Sequence, residues 1–263
     1  MSRRMPPLAH DGPGAIDLGT SVAGVALPFA AMNAAGVRSS TTSELRQLAA
    51  SETGAVVLAT TTVHPFVHPQ YRSLHNPGYD KLAPFARELA ERSGRPVVAS
   101  IAGATPDEYV TLARAFAEAG AVMIEANLVD PYVNATLAPF DEPGVLHETA
   151  ARLAAASTVP VSLRLPDRLP MRRRQLLAEI AGTGVTVVVV QNDFANFEKL
   201  LLVAGQVLEM IVVGGIRSGY DVSRALAKGA RAVQVRSALA EEGPAVFARL
   251  AREMRIARRA PTP

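Results

Sequence analysis

Eight short apolar runs, each followed by a helix-patterned segment, limit what this chain can fold into more than any other feature. The runs are Phe29–Met32, Val56–Ala59, Val97–Ile101, Met123–Ala126, Val161–Leu163, Val185–Val190, Ile211–Val213 and Ala232–Val235. They are continuous rather than alternating, which suits parallel strands covered on both faces. The segments between them carry helix-start signals. Thr41 with Glu44 and Thr105 with Glu108 read as capping boxes, and Pro106 takes a first helical position. The patterns predict helices over Thr42–Ser51, Tyr79–Ser93, Thr105–Ala119, Gly144–Ala156, Arg172–Ala181, Asn196–Ala204, Gly219–Lys228 and Pro244–Arg258. Eight such units in one α/β domain predict a TIM (β/α)8 barrel. Ile16–Ala26 alternates around Gly19 and Gly24 and predicts a small β-hairpin closing the barrel bottom. The barrel is expected over 14–259, with a Pro-rich flexible segment at 1–13 and a short tail at 260–263.

Composition removes several chemistries. The chain has no cysteine, so disulfides, iron–sulfur clusters and thiol nucleophiles are excluded. Its lysines are Lys81, Lys199 and Lys228, all on predicted helices, so Schiff-base and pyridoxal-phosphate chemistry lack their strand-end amine. Net charge is +3, with no tryptophan and no aromatic residues among the arginines, which argues against nucleic acid as a partner. Neither a membrane-spanning run nor a signal-peptide core is present, and a cytoplasmic protein is expected.

In a β/α barrel, chemistry sits just after the strands. The stretch Ile211–Phe247 reads strand, Gly214-Gly215 turn, helix capped by Ser218 with Asp221, strand, then Arg236-Ser237-Ala238. Two such turns on neighbouring strands predict a phosphate cup built from backbone N–H groups and the Ser237 hydroxyl. The other strand ends carry Asn33-Ala-Ala-Gly36, Thr60-Thr-Thr62, Ala102-Gly103, Asn127-Leu-Val-Asp130, Arg164 and Gln191-Asn192.

In these motifs the chain resembles the dihydroorotate dehydrogenase family, in particular its class 1A branch. Met32-Asn-Ala-Ala-Gly-Val37 resembles the family's first-strand motif, and Ser100-Ile-Ala-Gly103 its third strand. Asn127 and Pro131 match its Asn-Leu-Ser-Cys-Pro-Asn loop. Gly214-Gly215-Ile216 and Arg236-Ser237-Ala238-Leu239 match its phosphate turns. The resemblance implies FMN across the barrel mouth and a homodimer. Implied cofactor contacts are Ala34, Ala35, Gly36, Thr60, Asn127, Arg164, Gln191, Gly214, Gly215, Arg236 and Ser237. The chain departs from the family at several of these places. Ala59 stands for one lysine and Arg164 for another, Asp130 for the catalytic cysteine, Tyr132 for an asparagine and Arg236 for a glycine. The loops around Ser73–Pro77 and Asp193–Met210 are shortened. These departures argue for a changed substrate rather than for dihydroorotate itself.

Asp130 is the candidate general base, against an ordinary Asp-Pro turn. Tyr132 is a candidate proton donor or a packing residue, and His75 a candidate substrate contact. His64 and His68 each precede a proline, so their spacing is not that of a helical metal pair, and no metal site is expected. Arg164 needs an anion, either a ligand or a carboxylate such as Glu125. Three readings follow. The first is an FMN-dependent oxidoreductase moving a hydride between flavin and a small polar, carbonyl-adjacent substrate, acting on CH–CH or CH–NH groups. The second is a flavin-free isomerase, cyclase or lyase using Asp130 and Tyr132. The third is a non-catalytic homologue.

Overall fold

The computed structural model describes residues 16–67, 75–128, 143–165, 173–191 and 207–259. Eight parallel strands make the barrel, in the order β3-β10-β9-β8-β7-β6-β5-β4. They are β3 (Ala31–Asn33), β4 (Val56–Val57), β5 (Val97–Ile101), β6 (Met123–Asn127), β7 (Val161–Arg164), β8 (Val187–Gln191), β9 (Glu209–Val213) and β10 (Ala232–Val235). The helices are α1 (Thr42–Ala49), α2 (Tyr79–Ser93), α3 (Pro106–Glu118), α4 (Pro143–Ala156), α5 (Arg173–Gly182), α6 (Gly219–Ala227), α7 (Ser237–Glu242) and α8 (Val246–Arg259). The TIM-barrel expectation is met. The last helix, expected over Pro244–Arg258, begins as α8 at Val246 after a 3-10 turn at Gly243–Ala245, and a further short helix, α7, precedes it where the sequence reads as a turn. Gly243 supplies the break, with a positive φ of 71°. The predicted helix Asn196–Ala204 and the segments 1–13 and 260–263 lie outside the described residues.

Local signals act largely as expected. Thr41 and Glu44 form a reciprocal capping box on α1, and Ser218 and Asp221 do so on α6. At α3 only half of the box forms. Thr105 Oγ1 accepts from Glu108 N at 3.3 Å, but Glu108 Oε2 turns to Ala104 N at 2.7 Å.

The hairpin pairs β1 (Thr20–Val22) with β2 (Val25–Leu27) through an Ala23–Gly24 turn. It is tied to the N-terminal ends of the barrel strands. Thr20 Oγ1 donates to Arg231 O at 2.8 Å, and Ala23 N donates to Glu209 Oε2 at 2.8 Å. Val22 and Leu27 are buried against the barrel's interior cluster, which includes Met32, Val57, Val98, Met123, Val187 and Ile211. A second cluster packs the outer strand faces against the helices. Because successive strand residues point to opposite faces, these two clusters reveal what lies above the apolar plug. Val98 and Met123 face inward, so Ser100, Glu125 and Asn127 do too. Val161 and Leu163 face the helices, so Ser162 and Arg164 face inward. Ala232 brings Gln234 inward by the same rule. The interior is thus apolar at the bottom and polar towards the mouth.

One seam lacks a strand ladder. Between β3 and β4 the buried Asn33 side chain substitutes for it, donating to Val57 O at 2.7 Å and accepting from Val57 N at 2.8 Å. Gly54 N donates to Ala31 O at 2.8 Å just below. The approach is so close that a Cβ on Gly54 would lie 1.8 Å from Phe29 O. Asn33 therefore serves barrel closure, one residue before the Ala34–Gly36 loop that the resemblance turns toward the cofactor.

Candidate functional site

The C-terminal ends of the strands collect most of the expected site residues. Asn127, at the end of β6, is set by Tyr109 of α3, whose buried hydroxyl donates to Asn127 O at 2.9 Å. Its amide Nδ2 donates to Thr60 Oγ1 at 3.2 Å, and Thr60 shares a 3.0 Å hydrogen bond with Ser100 Oγ. Arg164 is the register partner of Asn127 and is half-buried at the rim. No salt bridge joins it to another described residue, and Glu125 is bonded elsewhere. Arg164 thus brings a cation to the mouth without a counter-ion in contact among the described residues, the arrangement that suits an anionic ligand.

Across the mouth, Gln191 ends β8 and lies against the Gly214–Gly215 turn. Both glycines are left-handed, with φ of 81° and 66°. A Cβ on Gly214 would sit 2.9 Å from Gln191 Nε2, so only glycine lets the amide in. Gln191 Oε1 is buried without a hydrogen-bond donor, a costly state that an incoming N–H group would relieve. The Gly214 N–H is less available than its turn suggested, because it donates to Gln234 O at 3.2 Å. Arg236 and Ser237 are exposed beside this turn. Neither side chain makes a hydrogen bond or ion pair among the described residues. They are therefore freer to donate to an anion than the Gly214 N–H is.

The third part is the β3–α1 loop. Ala34 N is engaged by Val235 O at 3.0 Å, and Gly36 N by Ser39 Oγ at 3.1 Å. Ala35 and Gly36 are half-buried beside a cavity of ≈ 680 Å³. Gly36, Arg38, Thr41, Glu44, His75 and Ala240 line that cavity. Arg38 holds a positive φ of 52°, uncommon for arginine, while its Nη2 donates to Ala240 O at 3.2 Å. His75 is brought there by the neck of its loop, where Phe66 and Asn76 exchange backbone bonds of 3.0 Å. Buried Asn76 accepts from Thr62 and Gly78 through its Oδ1. Asp130, Tyr132, His68 and Asn192 lie outside the described residues. His64 is exposed, and no group of three metal-ligating side chains occurs among the described residues.

The family model for dihydroorotate dehydrogenase matches residues 17–209. The chain belongs to the dihydroorotate dehydrogenase family. Its relatives include the fumarate-linked dihydroorotate dehydrogenase of Trypanosoma cruzi, 26% identical over 285 residues, covering 86% of this chain and 88% of that one. The catalytic subunit of the NAD(+)-linked dihydroorotate dehydrogenase B of Methanothermobacter thermautotrophicus is equally similar. It is 26% identical over 281 residues, covering 89% of this chain and 91% of that one. Among solved structures, ligand-free DHODH from Eimeria tenella superposes with a TM-score of 0.80 at 15% identity, covering 94% of this chain and 89% of that one. Dihydroorotate dehydrogenases are flavin-dependent oxidoreductases that act on CH–CH bonds and bind FMN.

The residues at this mouth fit such a group. Two glycines open a cradle, Gln191 Oε1 waits for an N–H donor, and Arg164, Arg236 and Ser237 offer donors to anionic oxygens. Ala59 is buried where the resemblance expects a lysine, so Arg164 supplies the cation on its own side of the barrel. Sequence reasoning missed the bonded chain Asn127–Thr60–Ser100 and the polar layer of Glu125, Ser162 and Gln234. Their signal was present: each is a polar residue inside an otherwise apolar run. No described helix is long and apolar enough to cross a membrane.

Proposed function

We propose that this chain is an FMN-dependent oxidoreductase whose substrate differs from dihydroorotate. The orphaned Gln191 Oε1 against the glycine cradle carries the reading, because an imide-type N–H such as a flavin presents would satisfy it. Arg236 and Ser237 would hold the phosphate beside Gly214 and Gly215. Asn127, its amide aligned by Thr60, and the Ala34–Gly36 loop would border the ring. FMN, when bound, supplies the hydride acceptor.

The chain's own residues then bind and move protons. Arg164 offers positive charge to an anion at the mouth, in a bidentate shape that lysine lacks. The substrate would be a small polar molecule with a C–H next to a carbonyl, entering the ≈ 680 Å³ cavity where Arg38 and His75 can donate to its oxygens. Asp130 would take the proton from the substrate carbon or nitrogen and, as its conjugate acid, return it in the reverse direction, with Tyr132 a further proton donor or a packing residue. Ala59 and Arg236 at positions where the resemblance expects lysine and glycine support a substrate other than dihydroorotate. A cytoplasmic homodimer is proposed by likeness to the class 1A branch, and a monomer in light scattering would overturn the dimer.

A flavin-free enzyme at the same mouth is the second reading. The absence of both family lysines, at Ala59 and Arg164, and the bulk of Arg236 at a phosphate turn favour it. The visible spectrum of the purified chain, before and after incubation with FMN and desalting, separates the two. A retained flavin spectrum is expected; a chain that stays colourless would overturn the flavin reading.

A further inference from the structure

Glu125 is fully buried and spans the barrel axis. Its Oε2 accepts from Gln234 Nε2 at 2.5 Å, joining β6 to β10, which stand four places apart in the eight-stranded order and therefore face each other. The pair is short of donors. Glu125 Oε1 and Gln234 Oε1 are both buried and both without a hydrogen-bond partner. An ionised carboxylate facing an amide leaves both oxygens in that state, because neither has a hydrogen to give the other. One added proton changes the count. A carboxylic O–H on Glu125 gives Gln234 Oε1 the donor it lacks, while the amide keeps its bond to Oε2.

The surroundings do not supply a charge partner in contact. Ser100 on β5, a neutral hydroxyl, shares a bond with Thr60 at 3.0 Å and also acts on the Glu125 carboxyl, and Ser162 on β7 donates to Ile124 O at 3.2 Å. Arg164 at the end of β7 is the charged group whose field reaches Glu125, yet no ion pair joins them among the described residues. An ionised carboxylate buried this way is expensive unless it is paired and hydrogen-bonded. Burial pushes the Glu125 carboxyl up, and Arg164, Gln234 and Ser100 pull it down without cancelling that push.

We propose that Glu125 and Gln234 hold one proton between them across the barrel axis, making Glu125 a positioning residue that leaves the Arg164 charge uncancelled at the mouth. The inference does not depend on the flavin reading. A carboxylate one layer beneath Arg164 would offset its charge toward any ligand; a neutral acid does not.

The test counts protons on the full-length chain. A group held protonated in the folded state contributes stability that is complete below its unfolded value of 4.5 and is lost as pH rises toward its folded value. Urea unfolding of the wild type and of Glu125→Gln is compared over a pH series. The expected result is a folding constant that falls about tenfold per pH unit relative to the variant, from weakly acid pH up to the ionisation of Glu125. A ratio independent of pH above about 5 would overturn the proposal. Carbon-13 carboxyl NMR of wild type labelled at glutamate needs no variant to fold. One glutamate is expected to show the protonated shift at neutral pH, and the signal should persist in Arg164→Met. Carboxylate shifts for every glutamate in the wild type, or a protonated signal that appears only in Arg164→Met, would make Glu125 an ionised counter-ion and overturn it.

Discussion

The two ends of this barrel are built on opposite principles. At the bottom, Val22 and Leu27 of the hairpin plug an apolar interior, and Thr20 and Ala23 find partners on Arg231 and Glu209. At the top, Gln191 Oε1 has no donor, Arg164 has no ion pair among the described residues, and Arg38 is held at a positive φ. The bottom resolves its polar groups within the chain. The top leaves acceptors and cations for something else to satisfy. Stability at one end and binding at the other is the division expected of a β/α barrel. Here it is visible as the difference between satisfied and unsatisfied groups.

That contrast can be broken where the seam is tightest. Gly54→Ala places a Cβ 1.8 Å from Phe29 O, and backbone cannot yield as a side-chain tip can. The loss should exceed about 4 kcal/mol, enough to leave no cooperative unfolding transition in urea. A folded Gly54→Ala would mean that the β3–β4 seam is looser than its hydrogen bonds imply. Asn33→Ala should cost about 2–4 kcal/mol, since the buried Val57 N–H and C=O both lose their partner. A loss below about 0.5 kcal/mol in the same assay would show that the seam does not need its side-chain stitch.

The mouth should respond in the opposite way. Gln191→Leu removes a buried acceptor that has no donor, so stability should stay within about 0.5 kcal/mol or rise. FMN affinity by fluorescence titration should meanwhile fall about tenfold, the worth of one good hydrogen bond. Should the variant bind FMN as tightly as the wild type, Gln191 is no part of the cofactor site and the contrast between the ends loses its sharpest member.

Much of this was legible in the chain itself. Continuous apolar runs can be strands only if both faces are covered, and eight of them joined by capped helices leave little choice but a barrel. Thr41 with Glu44 and Ser218 with Asp221 worked because capping depends on residues three apart, whatever the fold. The family was legible for a related reason: its motifs sit just after strands, where spacing is short. Gly243-Pro244 marked the start of the last helix because it resembles an ordinary helix start, whereas the short α7 at Ser237–Glu242 was not legible in a stretch whose Arg236-Ser237-Ala238 reads as a turn.

Local sequence determined where strands, caps and turns fall, because those depend on neighbours within a few residues. It also placed Asn127, Arg164, Gln191 and Gly214 at strand ends. Tertiary structure decided which of them meet. Arg164 was free to pair with Glu125 on the neighbouring strand, yet Glu125 bonds instead to Gln234, 109 residues away and on the opposite wall. Asn33, at a strand end where chemistry was sought, became a stitch in the seam. Such outcomes turn on barrel closure, which sets which side chains share a level and which reach across the axis. No periodicity along one strand carries that information.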